Sequence, residues 1–258
     1  MPELPEVETI RRDLEKEVVG AKVRTVEVRG ARSVRRHPSP EDFVARLRGR
    51  TVAKVRRAGK YLLVDLDDGA VLVCHLGMSG QLLLASAKDP VAPHTHVVCG
   101  FERARQLRFV DPRTFGELFV TSAAQVGEEV PELAHLGFDP LEDVLSWEEF
   151  GRRLRQRRAD EILFAAGLRY DRLTTSLSAQ EIRRLYRAMV ETLSEAVRHR
   201  GSSLADEQYR DLFGEVGDYQ GQHQVYDRAG QACRRCRRPI VRVKVQGRST
   251  YFCEHCQN

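Results

Sequence analysis

Pro2 follows the initiator methionine, and a chain trimmed of that methionine begins with a secondary amine. An α-amino group titrates near about 8, roughly two units below a lysine, so much of it is an uncharged nucleophile at neutral pH. A secondary amine attacking the anomeric carbon of a sugar gives an iminium without first losing a second N–H proton. Glu3 follows at once, and a carboxyl group beside a nucleophile can carry the proton a leaving group needs. The competing reading is structural: Pro2 blocks N-terminal processing and Pro5 starts a helix.

A second chemistry is written near the other end. Cys233-x-x-Cys236 and Cys253-x-x-Cys256 stand sixteen residues apart, a spacing suited to one Zn2+ held tetrahedrally by four thiolates. Two reduced cysteine pairs without metal are the alternative. Residues 240–245 and 249–252 alternate as two hairpin strands, with Gly247-Arg248 expected at the tip. From Arg228 to Arg248 there are eight basic residues and no acidic one, which suits contact with phosphate. Cys74 and Cys99 lie in β-type runs and read as small buried hydrophobes.

Two glycine-bearing loops, 75–80 with Met78 and 111–116 with Arg113 and Phe115, fall at strand ends. Apolar residues in loops are commonly local core plugs. In proteins that flip a nucleotide they also serve as wedges that fill the space left by the base, with an arginine bonding its orphaned partner. Lys60 and His94, taken alone, read as surface residues.

The elements that must carry these groups follow from periodicity. Val7, Ile10, Leu14 and Val18 recur at helical spacing, so an amphipathic helix follows the terminus and pins it. Glu3, Glu6 and Glu8 sit at that helix's positive end. Strands are expected at 22–29, 51–57, 61–65, 70–76, 96–101, 106–110 and 117–121, with Asp68-Gly69 a tight hairpin turn and Lys60 opening a strand. A short helix starts at Ser39-Pro40. The pattern predicts an antiparallel β-sandwich over 1–127, a linker over 128–143, a helical domain over 144–222 and a zinc finger over 223–258. Ser146-Trp-Glu-Glu149 and Ser178-Ala-Gln-Glu181 are capping boxes, and Ile182, Leu185, Met189, Leu193 and Val197 mark the buried face of a long helix. The fold class is α+β.

Composition narrows the class without naming a function. A 41% hydrophobic share is globular, no apolar run is long enough to span a membrane, and the acidic, polar start is unlike a signal peptide. Six cysteines then favour a metal site over a disulfide framework. A net charge of +5 suits a polyanionic partner.

The opening string Met-Pro-Glu-Leu-Pro-Glu-Val-Glu-Thr resembles the N-terminus of bacterial formamidopyrimidine-DNA glycosylases, which remove 8-oxoguanine and ring-opened purines. The related endonuclease VIII branch more often has glycine at the position of Leu4. The resemblance runs the length of the chain and implies a monomer in the bacterial cytoplasm, associated with the nucleoid, acting on double-stranded DNA with damaged bases. It implies Pro2 as the Schiff-base nucleophile and Glu3 as its proton carrier. Lys60 would be the catalytic lysine that contacts the phosphate and base region and helps the leaving group depart, and Arg248 would contact the phosphate at the lesion and act in the later elimination. Met78, Arg113 and Phe115 take the wedge and orphan-base roles, while His94 and Arg157 contact DNA. The four cysteines hold one structural zinc.

One stretch departs from that family. Relatives continue past the basic run with a lysine-bearing helix and a turn of the type Gly-x-Gly-Asn-Ile-Tyr, whereas here Arg157-Arg158 leads directly to Ala159-Asp160-Glu161. About twenty residues are absent, the first half of a helix–two-turn–helix element that binds backbone phosphate. Three functions follow: a bifunctional glycosylase and abasic-site lyase for oxidised purines, a catalytically impaired zinc-dependent DNA-binding relative, or a glycosylase for oxidised pyrimidines. The segment 210–223, with Tyr219, occupies the place of the loop that covers a flipped purine.

Overall fold

The computed structural model describes residues 2–143, 145–153, 160–203 and 209–258, and for 103 and 151–153 the backbone alone. The chain divides into two compact units, 1–137 with 199–218 and 138–198 with 219–258.

In the first unit, helix α1 (Leu4–Val18) buries Val7, Ile10, Leu14 and Val18, the stripe set by their spacing. Glu3 is its N-cap, and the Glu6 carboxylate accepts the Glu3 N–H at 2.9 Å, half of a capping box. Strands β1 (Thr25–Val28), β2 (Val52–Ala58), β3 (Tyr61–Leu66), β4 (Ala70–His75), β5 (Gln81–Ser86), β6 (Thr95–Gly100), β7 (Arg105–Val110) and β8 (Glu117–Ser122) form two four-stranded antiparallel sheets. Their orders are β1-β6-β7-β5 and β2-β3-β4-β8. Helix α2 (Pro40–Leu47) is capped by Ser39, whose hydroxyl accepts the Asp42 N–H.

The core lies between the sheets. Leu62, Val64, Leu72 and Cys74 from one sheet meet Leu82, Val97, Cys99 and Phe109 from the other, together with α1. Strands β3, β4 and β8 are buried almost continuously because their opposite face is covered too. Leu63, Val73 and Phe119 pack there under Val126 of the single-turn helix α3 (Val126–Glu129) and Val130, the residue between it and a second single-turn helix, α4 (Pro131–Ala134). Part of the stretch read as linker therefore carries core residues.

Strand β5 has no counterpart in the sequence reading. Its run Gln-Leu-Leu-Leu-Ala-Ser sits at a sheet edge, where only Leu82 is fully buried, so alternation is weak. The returning segment covers that edge, Leu84 N–H donating to Leu212 O at 2.8 Å.

In the second unit, helix α5 (Trp147–Arg153), α6 (Asp160–Ala166) and α7 (Ala179–Arg198) surround Phe150, Ala166, Leu168, Leu185 and Ala188. Both expected capping boxes contribute: Ser146 Oγ accepts from Glu149 N–H, and Ser178 and Glu181 bond reciprocally. Strands β9 (Val241–Val245) and β10 (Arg248–Phe252) form an antiparallel hairpin. The two-residue turn is Gln246-Gly247, both with positive φ, so Arg248 is the first residue of a strand, paired with Val245, rather than part of the tip.

Candidate functional site

Helix α1 delivers the terminus. Pro2 is buried immediately before the N-cap, and Glu3 is exposed at the helix entry. Lys60 is not at a strand start; it is in the two-residue turn between β2 and β3 with Gly59, whose φ is +56°. That turn aims the lysine at the helix: Lys60 Nζ lies 2.6 Å from Glu3 Oε2. Pro2, the Glu3 carboxylate and the Lys60 ammonium, separated by nearly sixty positions in sequence, thus share one corner of the first unit.

Charges behind this corner hold α1 in place. Glu8 Oε2 accepts from the buried Arg57 Nε at 2.9 Å, and Arg11 and Arg12 also bond Glu8. Burial works against the Glu8 charge, but the guanidinium groups of Arg11, Arg57 and Arg12 outweigh it and hold the carboxyl at about 2. Among the described residues no cation pairs with Glu6; its burial raises its pKa, opposed by backbone N–H groups that include Ser202, 2.8 Å from Oε1. Gly201, at φ +80°, is what lets this chain approach, because a Cβ there would lie 2.7 Å from Glu6 Cγ. Sequence reasoning placed Glu6 at the helix dipole and missed its second bond, which reaches 196 residues along the chain.

On the same unit, Met78 and Phe115 are 40% and 52% exposed on the two loops, so neither is a core plug. Arg113 is exposed between them in sequence. His94 is also exposed, with φ +61°, and its carbonyl accepts the Asp111 N–H at 3.0 Å, which seats it against the second loop. Arg157 lies outside the described residues.

In the second unit, the Sγ atoms of Cys233, Cys236, Cys253 and Cys256 all lie within 4.8 Å of one another. Two of the separations are 3.9 Å and 3.4 Å, close to the roughly 3.8 Å edge expected for four sulfurs at about 2.3 Å from a tetrahedral zinc. The Arg235 N–H points at Cys233 Sγ, a contact that favours thiolate. The donor set fits one structural zinc. Gln257, 1% exposed, ties the second knuckle down: its Oε1 accepts from Cys253 N–H and its Nε2 donates to Leu168 O.

The basic run is only partly available for a ligand. Arg235 bonds Phe164 O and stacks over the Phe164 ring at 4.1 Å, and Arg228 bonds the carbonyls of Gln224 and Ala232. Arg237, Arg238, Lys244 and Arg248 are exposed. Beneath the hairpin, the first turn of α6 acts as its anchor. Glu161 accepts the N–H groups of Gln224, Val225 and Tyr226, and Asp160 accepts that of Tyr251.

A two-sheet unit with an N-terminal helix packed into its core, joined in one chain to a helical unit bearing a four-cysteine hairpin, defines a mixed helix-and-sheet zinc-finger protein. Residues 1–118 match the formamidopyrimidine-DNA glycosylase N-terminal domain, and 230–258 match the zinc finger found in FPG and IleRS. The formamidopyrimidine-DNA glycosylase of Pelotomaculum thermopropionicum is 37% identical, with 100% of this chain and 99% of that protein aligned. That of Solibacter usitatus is 39% identical with the same coverage. Among solved structures, a Lactococcus lactis FPG mutant complexed with Fapy-dG containing DNA superposes with a TM-score of 0.86 at 32% identity, covering 99% of each chain. Thermus thermophilus MutM (FPG) gives 0.83 at 39% identity, covering 99% of this chain and 98% of that one. The chain belongs to the formamidopyrimidine-DNA glycosylase family, a family of DNA-repair enzymes. The first of these alignments runs over 277 positions against 258 residues, so at least 19 positions of that relative have no counterpart here. Among the described residues, no helix is long and apolar enough to cross a membrane.

Proposed function

We propose that this protein is a bifunctional DNA glycosylase and abasic-site lyase that excises oxidised purines, 8-oxoguanine and formamidopyrimidines, from double-stranded DNA. The observation that carries the reading is the Lys60–Glu3 pair at 2.6 Å, built beside Pro2 at the head of a buried helix. With Met1 removed, the Pro2 nitrogen attacks C1′ of the damaged nucleotide, a C–N bond forms, and the bond to the base breaks with its electron pair leaving on the base. A proton delivered to the leaving purine completes that step, and the Glu3 carboxyl moves protons between the amine, the sugar and the base. Lys60 contacts the phosphate and base region. The amine gives up its proton, and the sugar ring then opens: the C1′–O4′ bond breaks, its electron pair and a proton go to O4′, and an iminium is left at C1′. The iminium acidifies C2′, so loss of a C2′ proton expels the 3′-phosphate, and a second elimination expels the 5′-phosphate. Arg248 holds the phosphate at the lesion. Met78 and Phe115 fill the space the flipped nucleotide leaves, Arg113 bonds the orphaned base, and His94 and Arg157 contact DNA.

The test is covalent capture. Borohydride should reduce the iminium to a stable protein–DNA adduct on an 8-oxoguanine duplex, and Pro2→Gly should abolish it. Failure of the wild-type chain to be captured at low salt sinks the reading. Duplex binding without nicking would instead favour a non-catalytic relative, an outcome consistent with the 19 or more positions of a relative that have no counterpart here.

A further inference from the structure

We propose that Asp111 is the positioning residue that locks the Met78 loop and the Phe115 loop into one rigid probe; this rests on the DNA-wedge reading of Met78, Arg113 and Phe115. Asp111 is fully buried, and its carboxylate faces both loops. Oδ1 accepts the Ser79 hydroxyl at 2.6 Å and the Arg113 N–H at 3.2 Å, while Oδ2 accepts the Gly116 N–H at 2.8 Å. Its own carbonyl accepts the Thr114 N–H at 3.2 Å and lies 2.8 Å from His96 Nε2. One side chain therefore bonds the residue after Met78, the wedge arginine's backbone and the residue after Phe115.

The space between the loops leaves no slack. A Cβ on Gly77 would lie 2.6 Å from Gly116 N, and one on Gly116 would lie 2.7 Å from Phe109 Cζ. Thr114 sits between Arg113 and Phe115 with φ +55°, a region a β-branched residue avoids unless its surroundings hold it there. From outside, Arg35 donates to Gly116 O at 3.0 Å. Three hydrogen bonds to a buried carboxylate, two of them fully buried, are strong and directional, so the loops move together or not at all. Insertion of two apolar side chains at one lesion requires their separation to be set before DNA arrives.

Asp111→Asn keeps the shape but turns an NH2 toward either the Gly116 N–H or the Ser79 hydroxyl. Ser79→Ala removes one bond and decides the matter if Asp111→Asn fails to fold. Two readouts are paired: 2-aminopurine fluorescence beside a tetrahydrofuran abasic analogue in duplex, which reports wedge insertion, and borohydride capture on single-stranded abasic DNA, which needs no wedge. The expected result is loss of the fluorescence rise and an excision rate on 8-oxoguanine duplex lower by about tenfold to a hundredfold, with single-strand capture unchanged. Equal loss in both assays, or no loss in either, overturns the proposal. A wild-type chain that gives the fluorescence rise without any cleavage would refute the enzymatic reading while leaving the role of Asp111 standing.

Discussion

Lys60 Nζ and Glu3 Oε2 are 2.6 Å apart, joining a hairpin turn to the N-cap of the first helix. The lysine side chain is 34% exposed and the carboxylate 57%, so the pair lies open to solvent and to a substrate. Exposed ion pairs contribute only about 0–1 kcal/mol to folding. The pair is therefore expected to add little to stability, and the proposed chemistry can be tested apart from the fold.

Glu3→Gln should accordingly leave the melting temperature nearly unchanged and lower single-turnover excision by about 10² to 10⁴, the range for a positioned proton carrier. Stopped-time assays on an 8-oxoguanine duplex, with thermal unfolding in parallel, check both halves. A melting shift as large as the activity loss would count against the assignment.

Met78→Ala and Phe115→Ala remove half-exposed side chains and should cost little stability. Duplex excision should fall while cleavage of single-stranded abasic DNA persists, since only the duplex has a gap to fill.

Cys233→Ser should reduce bound zinc from one per chain towards none, measured by elemental analysis. The cysteines share a small cluster with Phe164, Val225, Ile240 and Tyr251, so losing the metal should unfold the hairpin and abolish duplex binding.

The basic residues of the hairpin should separate into two classes. Arg248→Ala should reduce the slope of log K against log salt by about 0.9, one phosphate contact, with the fold intact. Arg235→Ala removes the stack on Phe164 and two carbonyl bonds, so it should lower the melting temperature and leave the slope close to wild type. Titrations at several salt concentrations distinguish them.

Acid stability should report Glu8. Its folded pKa lies below the ordinary value of 4.5, at about 2, so its contribution is complete above 4.5 and is lost as pH falls from there towards 2. Glu8→Gln should flatten that limb of the unfolding free energy between pH 4.5 and 2. Glu6, raised by burial, has the opposite sign: its charged form weakens the fold as pH rises through its shifted value.

Much of this molecule is local and was legible without coordinates. The buried stripe of α1, the Ser39 and Ser178 caps, the Asp68-Gly69 turn and the four-cysteine spacing are short-range patterns whose physics acts within a few residues. The same holds for Pro2, Glu3 and the cysteines as candidates. Strand β5 was hidden because an edge strand covered by a distant segment shows no clean alternation, and the hairpin tip was displaced by one residue because two positive-φ positions, not one glycine, make the turn.

Only the tertiary structure decided what depends on residues far apart in sequence. It paired Lys60 with Glu3, returned 199–218 to the first unit through Glu6 and Asp13, placed core residues in the stretch after 126, and made Asp111 the common acceptor of two loops. A side chain's type limits the bonds it can make, but which partner completes them is set by where packing brings the chain back. The chemistry is therefore carried by residue types along the sequence, and its geometry by long-range contacts that no local pattern encodes.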